Sequence, residues 1–203
     1  MKTQINKYEN DWKDAKNKCR ITSNKIHTEH EPSSEFKTNL LISEHSPCRI
    51  IKVNWLWEGI KSWVSVHFAR HHQGIEKWVS TQRSDRTNID RDELPQGALV
   101  NFEAEANAQS LINMAKVRLC YQASKETREL FEDLKVTIGK TEPELADVLV
   151  PSCVYRCSCS EFTECGFWSK MVNKYHYSDL MNIRTRYKLY NGDFYTRKMK
   201  EGK

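Results

Sequence analysis

Arg70, His71 and His72 follow one another in the sequence, and after seven intervening residues comes Ser80, with Arg83 just beyond it. Guanidinium and imidazole groups beside a hydroxyl suit an oxyanion: forked N–H donors match a phosphate or carboxylate, and a small O–H adds one more bond. The same triplet at a helix C-terminus also has a plain electrostatic role, because cations there complement the macrodipole. A second polar set, Asn107, Gln109, Asn113 and Arg118, lies on a stretch free of glycine and proline. On an α-helix the step from Asn107 to Arg118 returns to within about 20° of the same direction, so both groups project toward one site about three turns apart. A third set is Cys153, Cys157, Cys159 and Cys165, spaced C-x3-C-x-C-x5-C. Four thiolates can satisfy tetrahedral zinc, but the spacing is not the paired C-x2-C form, and cysteines also serve as small buried hydrophobes. They are read as structural thiols with no metal, zinc being the alternative.

These groups need elements to carry them. Residues 1–14 are polar and charged, which predicts a lightly packed start. FKTNLLIS reads as a short helix, and the apolar run after Pro47 as a strand. Leu56, Ile60, Trp63, Val64 and Phe68 recur at spacings of three and four, which predicts a helix over residues 55–70 with the basic triplet at its C-terminal end. RSDRTNIDRDELPQG reads as a charged loop. Ala108, Leu111, Ile112, Ala115, Leu119 and Ala123 form an apolar stripe, which predicts a long helix over residues 105–137. Helices together with at least one strand read as a mixed α and β chain.

Composition narrows the function classes. The chain has 203 residues, 38% hydrophobic and 29% charged, enough apolar surface for a real core. The net charge of +5 is spread along the chain, a weaker footprint than nucleic-acid binding usually leaves. No apolar stretch approaches the roughly 18 residues of a membrane span, and the N-terminus lacks the apolar core of an export signal. The expectation is a cytoplasmic protein with no membrane partner and no nucleic-acid partner. Seven cysteines, an odd number, then read as reduced thiols.

Several motifs fall in one order: HSP at 45–47, RHH-x7-S at 70–80, LP at 94–95, and NAQSLINMAKVR at 107–118 followed by QASKETR. In this order and spacing, over about residues 15–130, the chain resembles the flavin-dependent thymidylate synthases, the ThyX family. The resemblance implies an α+β, ThyX-like fold, a small and mostly antiparallel sheet packed against long helices, with a catalytic core over residues 15–140. The remainder, 141–203, is read as a Cys- and Tyr-rich extension of the same domain. It implies FAD bound by Ser46, Arg70, His71, His72, Asn107, Gln109 and Asn113. It implies dUMP held by His67, Arg70, Ser80, Arg83, Arg91 and Arg118, with methylenetetrahydrofolate and NADPH as co-substrates and a homotetramer as the assembly. The motif departs from the family at three places: His72 replaces an arginine, Trp78 stands where a glutamate is expected, and Gln82 replaces an arginine, with Arg83 one further on.

Arg118 carries the chemical expectation. Methylation at C5 of uracil needs an electron-rich ring, and a fixed cation beside N3 and O4 stabilises the negative charge that makes it so. The resemblance implies reductive methylation of dUMP to dTMP without a cysteine nucleophile. A related pyrimidine-modifying enzyme, such as a dUMP hydroxymethylase, and a non-catalytic nucleotide- or nucleic-acid-binding relative remain the alternatives.

Overall fold

In the computed structural model, residues 3–201 are described. The chain begins with β1 (Gln4–Glu9), followed by α1 (Trp12–Thr22) and α2 (Ser34–Ile42), each capped by a local side chain. Asp11 accepts from the Asp14 N–H at 2.7 Å and Ser33 from the Phe36 N–H at 3.2 Å, each satisfying one of the orphan donors at a helix start. The start is therefore not lightly packed: β1 pairs with the next strand, and Trp12 is buried in the core. FKTNLLI is helical within α2, as its pattern predicts, and Ser43 is the C-cap.

A 3-10 turn at Ser46–Ile50 leads into β2 (Lys52–Lys61), then α3 (Ser62–Ala69), β3 (Ile75–Val79), α4 (Ser84–Thr87) and β4 (Leu99–Asn107). The four strands form one antiparallel sheet in the order β1-β2-β4-β3. The helix expected over residues 55–70 is half strand. Val53, Trp55 and Trp57 alternate inward with period two, and that period governs the segment. The β2–β4 register then shifts between Trp57 and Ile60, where Gly59 adopts φ +61°. The shift turns Ile60 inward out of phase with the strand, which produces the misleading helical spacing. Only Ser62–Ala69 is helix, and the basic triplet does follow its C-terminus.

β4 alternates equally plainly, with Val100, Phe102, Ala104 and Ala106 buried. It runs directly into α5 (Ala108–Arg118), with α6 (Lys125–Ile138) after a break. The expected long helix over 105–137 is thus the end of a strand and two helices. Leu119 caps α5 and Ser124 precedes α6, its hydroxyl donating to Thr127 Oγ1 at 2.7 Å. Helices α3 and α6 cover one face of the sheet, where Trp57 lies 4.6 Å from Phe68 and Phe68 stacks on Phe131 at 6.3 Å, measured between ring centroids.

The C-terminal part is helical: α7 (Pro143–Val148), α8 (Ser152–Arg156), α9 (Phe167–Lys174), α10 (Tyr177–Met181) and α11 (Ile183–Glu201). Tyr187, Tyr190 and Phe194 of α11 join the same core. Among the described residues no helix is long and apolar enough to cross a membrane.

Candidate functional site

The triplet leaves α3 as that helix ends. Arg70 is the C-cap, and the His71 N–H bonds back to Phe68 O at 3.1 Å. Gly74 then turns the chain into β3 with φ +67°. The segment between them lies along α5, held near both ends of that helix. At the C-terminal end, Arg118 donates from Nε to His71 Nε2 at 3.0 Å and from Nη2 to His67 O at 2.5 Å. At the N-terminal end the Asn107 N–H donates to Gly74 O at 2.9 Å, and an added Cβ on Gly74 would meet Asn107 Cγ at 2.9 Å. Asn107 and Arg118 thus touch the same segment, Asn107 through its backbone N–H and Arg118 through its side chain.

Electrostatics follow from that packing. Burial, with the neighbouring Arg118 and Lys77 charges, pushes the His71 imidazole pKa down to about 4. A neutral His71 is what the Arg118 bond requires, since Nε2 accepts. The Lys77 ammonium donates to the His71 carbonyl. His67 is held below its ordinary range by burial and by Arg118 and Arg70, and its Nδ1 pairs with Thr127 Oγ1 at 2.8 Å. The Arg118 guanidinium is itself half-buried, with two of its five N–H donors engaged. Beside it, Ser62, Trp63, Val66, His67, Arg70 and Gln96 line an open pocket of about 330 Å³.

The remaining expected residues fall into two other groups. Ser46 opens the 3-10 turn; two residues before it Glu44 accepts from Gln109 of α5, and Cys48 Sγ lies 3.8 Å from Gln109 Oε1. Lys116 Nζ pairs with Glu44 Oε1 at 3.0 Å, lies 3.4 Å from Asn113 Oδ1, and sits 3.6 Å over the Tyr155 ring. Ser80, Arg83 and Arg91 are exposed around the β3–β4 connection. Ser80 is tied into the sheet, its Oγ accepting from the Asn101 N–H at 2.9 Å. Arg83 is occupied by a two-pronged bond to Asp85 at 2.7 and 3.0 Å, so the arginine expected to meet a ligand is held by its own loop. His72 and Arg70 are exposed.

Sequence reasoning missed Glu44, Lys116, Gly74 and Thr127. Glu44 sits at φ +50°, and no composition signal marks a non-glycine residue in that conformation. Gly74 had a readable signal, a lone glycine between a helix and a strand.

The cysteines are sorted differently from their spacing. Cys153, Cys159 and Cys165 line one small cavity, but the fourth thiol there is Cys120, from the end of α5. Cys157 points away, its Sγ 3.4 Å from Leu180 O and 3.8 Å from Met181 Sδ.

The architecture has solved counterparts. The flavin-dependent thymidylate synthase ThyX from Helicobacter pylori, complexed with FAD and dUMP, superposes with a TM-score of 0.61 over 74% of this chain and 100% of its own, at 14% identity. The fold is ThyX-like. A second structure of the Helicobacter pylori ThyX with FAD and dUMP gives 0.60 over 73% and 99%, at 15% identity. The UMP/dUMP methylase PolB from Streptomyces cacaoi, bound with 5-Br dUMP, gives 0.56 over 72% and 93%, at 12% identity. No sequence family matches the chain, and no curated protein does. The ThyX-like α+β fold, with its small antiparallel sheet, agrees with the architecture expected from the sequence.

Proposed function

We propose that this protein is a flavin-dependent enzyme acting at C5 of a pyrimidine nucleotide, and specifically that it converts dUMP to dTMP with methylenetetrahydrofolate and NADPH. The observation that carries the reading is the convergence of two separate motifs: Arg118, at the end of the NAQSLINMAKVR helix, is hydrogen-bonded to the RHH segment. The ThyX-like fold supports it. Two guanidiniums fit phosphate by charge and exposure. Arg70 and Arg91 make no side-chain hydrogen bond or ion pair among the described residues and face outward, as phosphate-binding guanidiniums must. FAD would be held by Ser46, Arg70, His71, His72, Asn107, Gln109 and Asn113, and when bound it would supply the hydride.

The protein's own part is placement and charge. Arg118 is held by His67 and His71 so that its unused donors form a fixed cation, able to stabilise negative charge on a uracil ring. His71 serves here as a neutral acceptor that orients Arg118, in addition to its cofactor role. Arg70, Ser80 and Arg91 would grip the nucleotide, and Arg83 would join them by exchanging Asp85 for a phosphate. A homotetramer, with sites shared between subunits, would bring the three residue groups together.

The test is the visible absorption of the purified protein titrated with FAD and then with dUMP, followed by product analysis with methylenetetrahydrofolate and NADPH. A flavin spectrum that shifts on adding dUMP, with dTMP formed, is the expected result. A 5-hydroxymethyl product would replace methylation with hydroxymethylation, and no flavin binding in the presence of dUMP would overturn the enzymatic reading.

A further inference from the structure

The segment between α8 and α9, residues 157–166, contains no helix or strand, and its one large apolar side chain, Phe162, is fully exposed. Its first residue, Cys157, is held to Leu180 and Met181, and Glu164 accepts from Ser169 of α9. Two further ties meet at the corner between α5 and α6: Gln122 donates to Thr163 O at 2.6 Å, and Cys120 Sγ lies 3.8 Å from Glu161 Oε1. At that corner four thiols from three chain segments surround one cavity: Cys120 after α5, Cys153 in α8, and Cys159 and Cys165 in the loop. The cavity measures about 10 Å³, room for about one small species such as a water or a metal ion. Tyr121, Pro151, Phe167 and Trp168 shield it.

We propose that Cys120, Cys153, Cys159 and Cys165 bind one zinc ion, which fastens the 157–166 loop to the corner between α5 and α6. Four sulfur ligands around a one-ion space match the closed tetrahedral structural sites of zinc. As the side chains stand, no three ligands among the described residues are set to hold an ion. Binding therefore draws in the loop, which carries two of the four thiols, and rotates the cysteines about χ1. Each thiol that coordinates gives up its proton to solvent, and no electron is transferred. The ligand set differs from the one the spacing suggests, because Cys157 is directed to Leu180 and Met181.

The test uses the full chain, reduced and stripped of metal with a chelator, then titrated with Co²⁺ and afterwards with Zn²⁺. One Co²⁺ per chain is expected, with thiolate-to-cobalt charge-transfer bands and the visible bands of a tetrahedral site, bleached by Zn²⁺. Cys120→Ser should lose the tetrahedral spectrum and Cys157→Ser should keep it. Cys165 is exposed, so Cys165→Ser provides a second ligand variant that retains the fold, and it too should lose the spectrum. Absence of tetrahedral cobalt bands in the parent protein would overturn the proposal. So would a Cys157→Ser variant that loses them while Cys120→Ser retains them.

Discussion

His71 is where charge and fold meet most directly. Its pKa lies near 4 in the folded protein against an ordinary value of about 6.5 when unfolded, so the unfolded chain binds the extra proton first. The stability it contributes is fully present above about pH 6.5 and is lost as the pH falls toward 4. Melting temperature measured between pH 7 and 4 should fall, and in His71→Gln, whose amide oxygen still accepts from Arg118, the fall should be shallower. An equal slope in both proteins would show that His71 is not the titrating group. Arg118→Lys keeps the charge but cannot reach both His71 and the His67 carbonyl with a planar fork. On the proposed function, turnover of dUMP should drop by about 100-fold or more while flavin affinity changes little; steady-state kinetics beside an FAD titration would separate the two. Gly74→Ala places a side chain in the left-handed region and against Asn107, which should cost about 1–3 kcal/mol in chemical denaturation.

At the scale of elements, the β4–α5 junction joins architecture to site. Asn107 ends the strand and caps the helix, its Oδ1 accepting from the Ser110 N–H at 2.9 Å. Asn107→Ala should lose about 1 kcal/mol of stability with or without flavin, whereas Asn107→Asp keeps the cap. Denaturation without ligand, paired with flavin titration of both variants, distinguishes the cap from cofactor contact. The elements also show where sequence patterns mislead. Alternation in β4 is visible as VNFEAEA, yet Ala and Glu are good helix formers, and the apolar stripe of α5 follows without a gap. Burial in the sheet decides for strand: across the register Ala104 leaves room for the Trp55 indole, Ala106 meets Val53 and Phe102 meets Trp57.

For the whole molecule, Lys135 links the sheet-side helices to the C-terminal helices. Its ammonium is fully buried and donates to Ala146 O, Leu149 O and Asn191 Oδ1 at 3.0, 2.7 and 2.6 Å, beneath the rings of Tyr190, Phe194 and Tyr195. Burial pulls its pKa down to about 7. Lys135→Met keeps much of the volume but strands three buried acceptors, and should destabilise the protein by about 3–5 kcal/mol in urea denaturation. A loss below about 1 kcal/mol would mean that water reaches those acceptors. The buried Arg186 does similar work in α11, donating to Val154 O at 2.5 Å and Tyr155 O at 3.2 Å.

The sequence by itself determined the short helix in α2 and the helical course of Ala108–Arg118, because these depend on local periodicity, and the α+β class through the resemblance its motifs carry. The order of motifs was equally legible, since it is a property of the linear chain. Only the tertiary structure decided that residues 55–61 are strand, because a bulge at Gly59 changes which side chains face inward and copies the spacing of a helix. Only it decided that Arg118 binds His71, that Arg83 is taken by Asp85, that Glu44 holds Gln109 and Lys116, and that Cys120 replaces Cys157 beside the other thiols. Each of those choices joins groups distant in sequence or depends on a backbone conformation that residue type does not announce, so each was fixed when the elements packed.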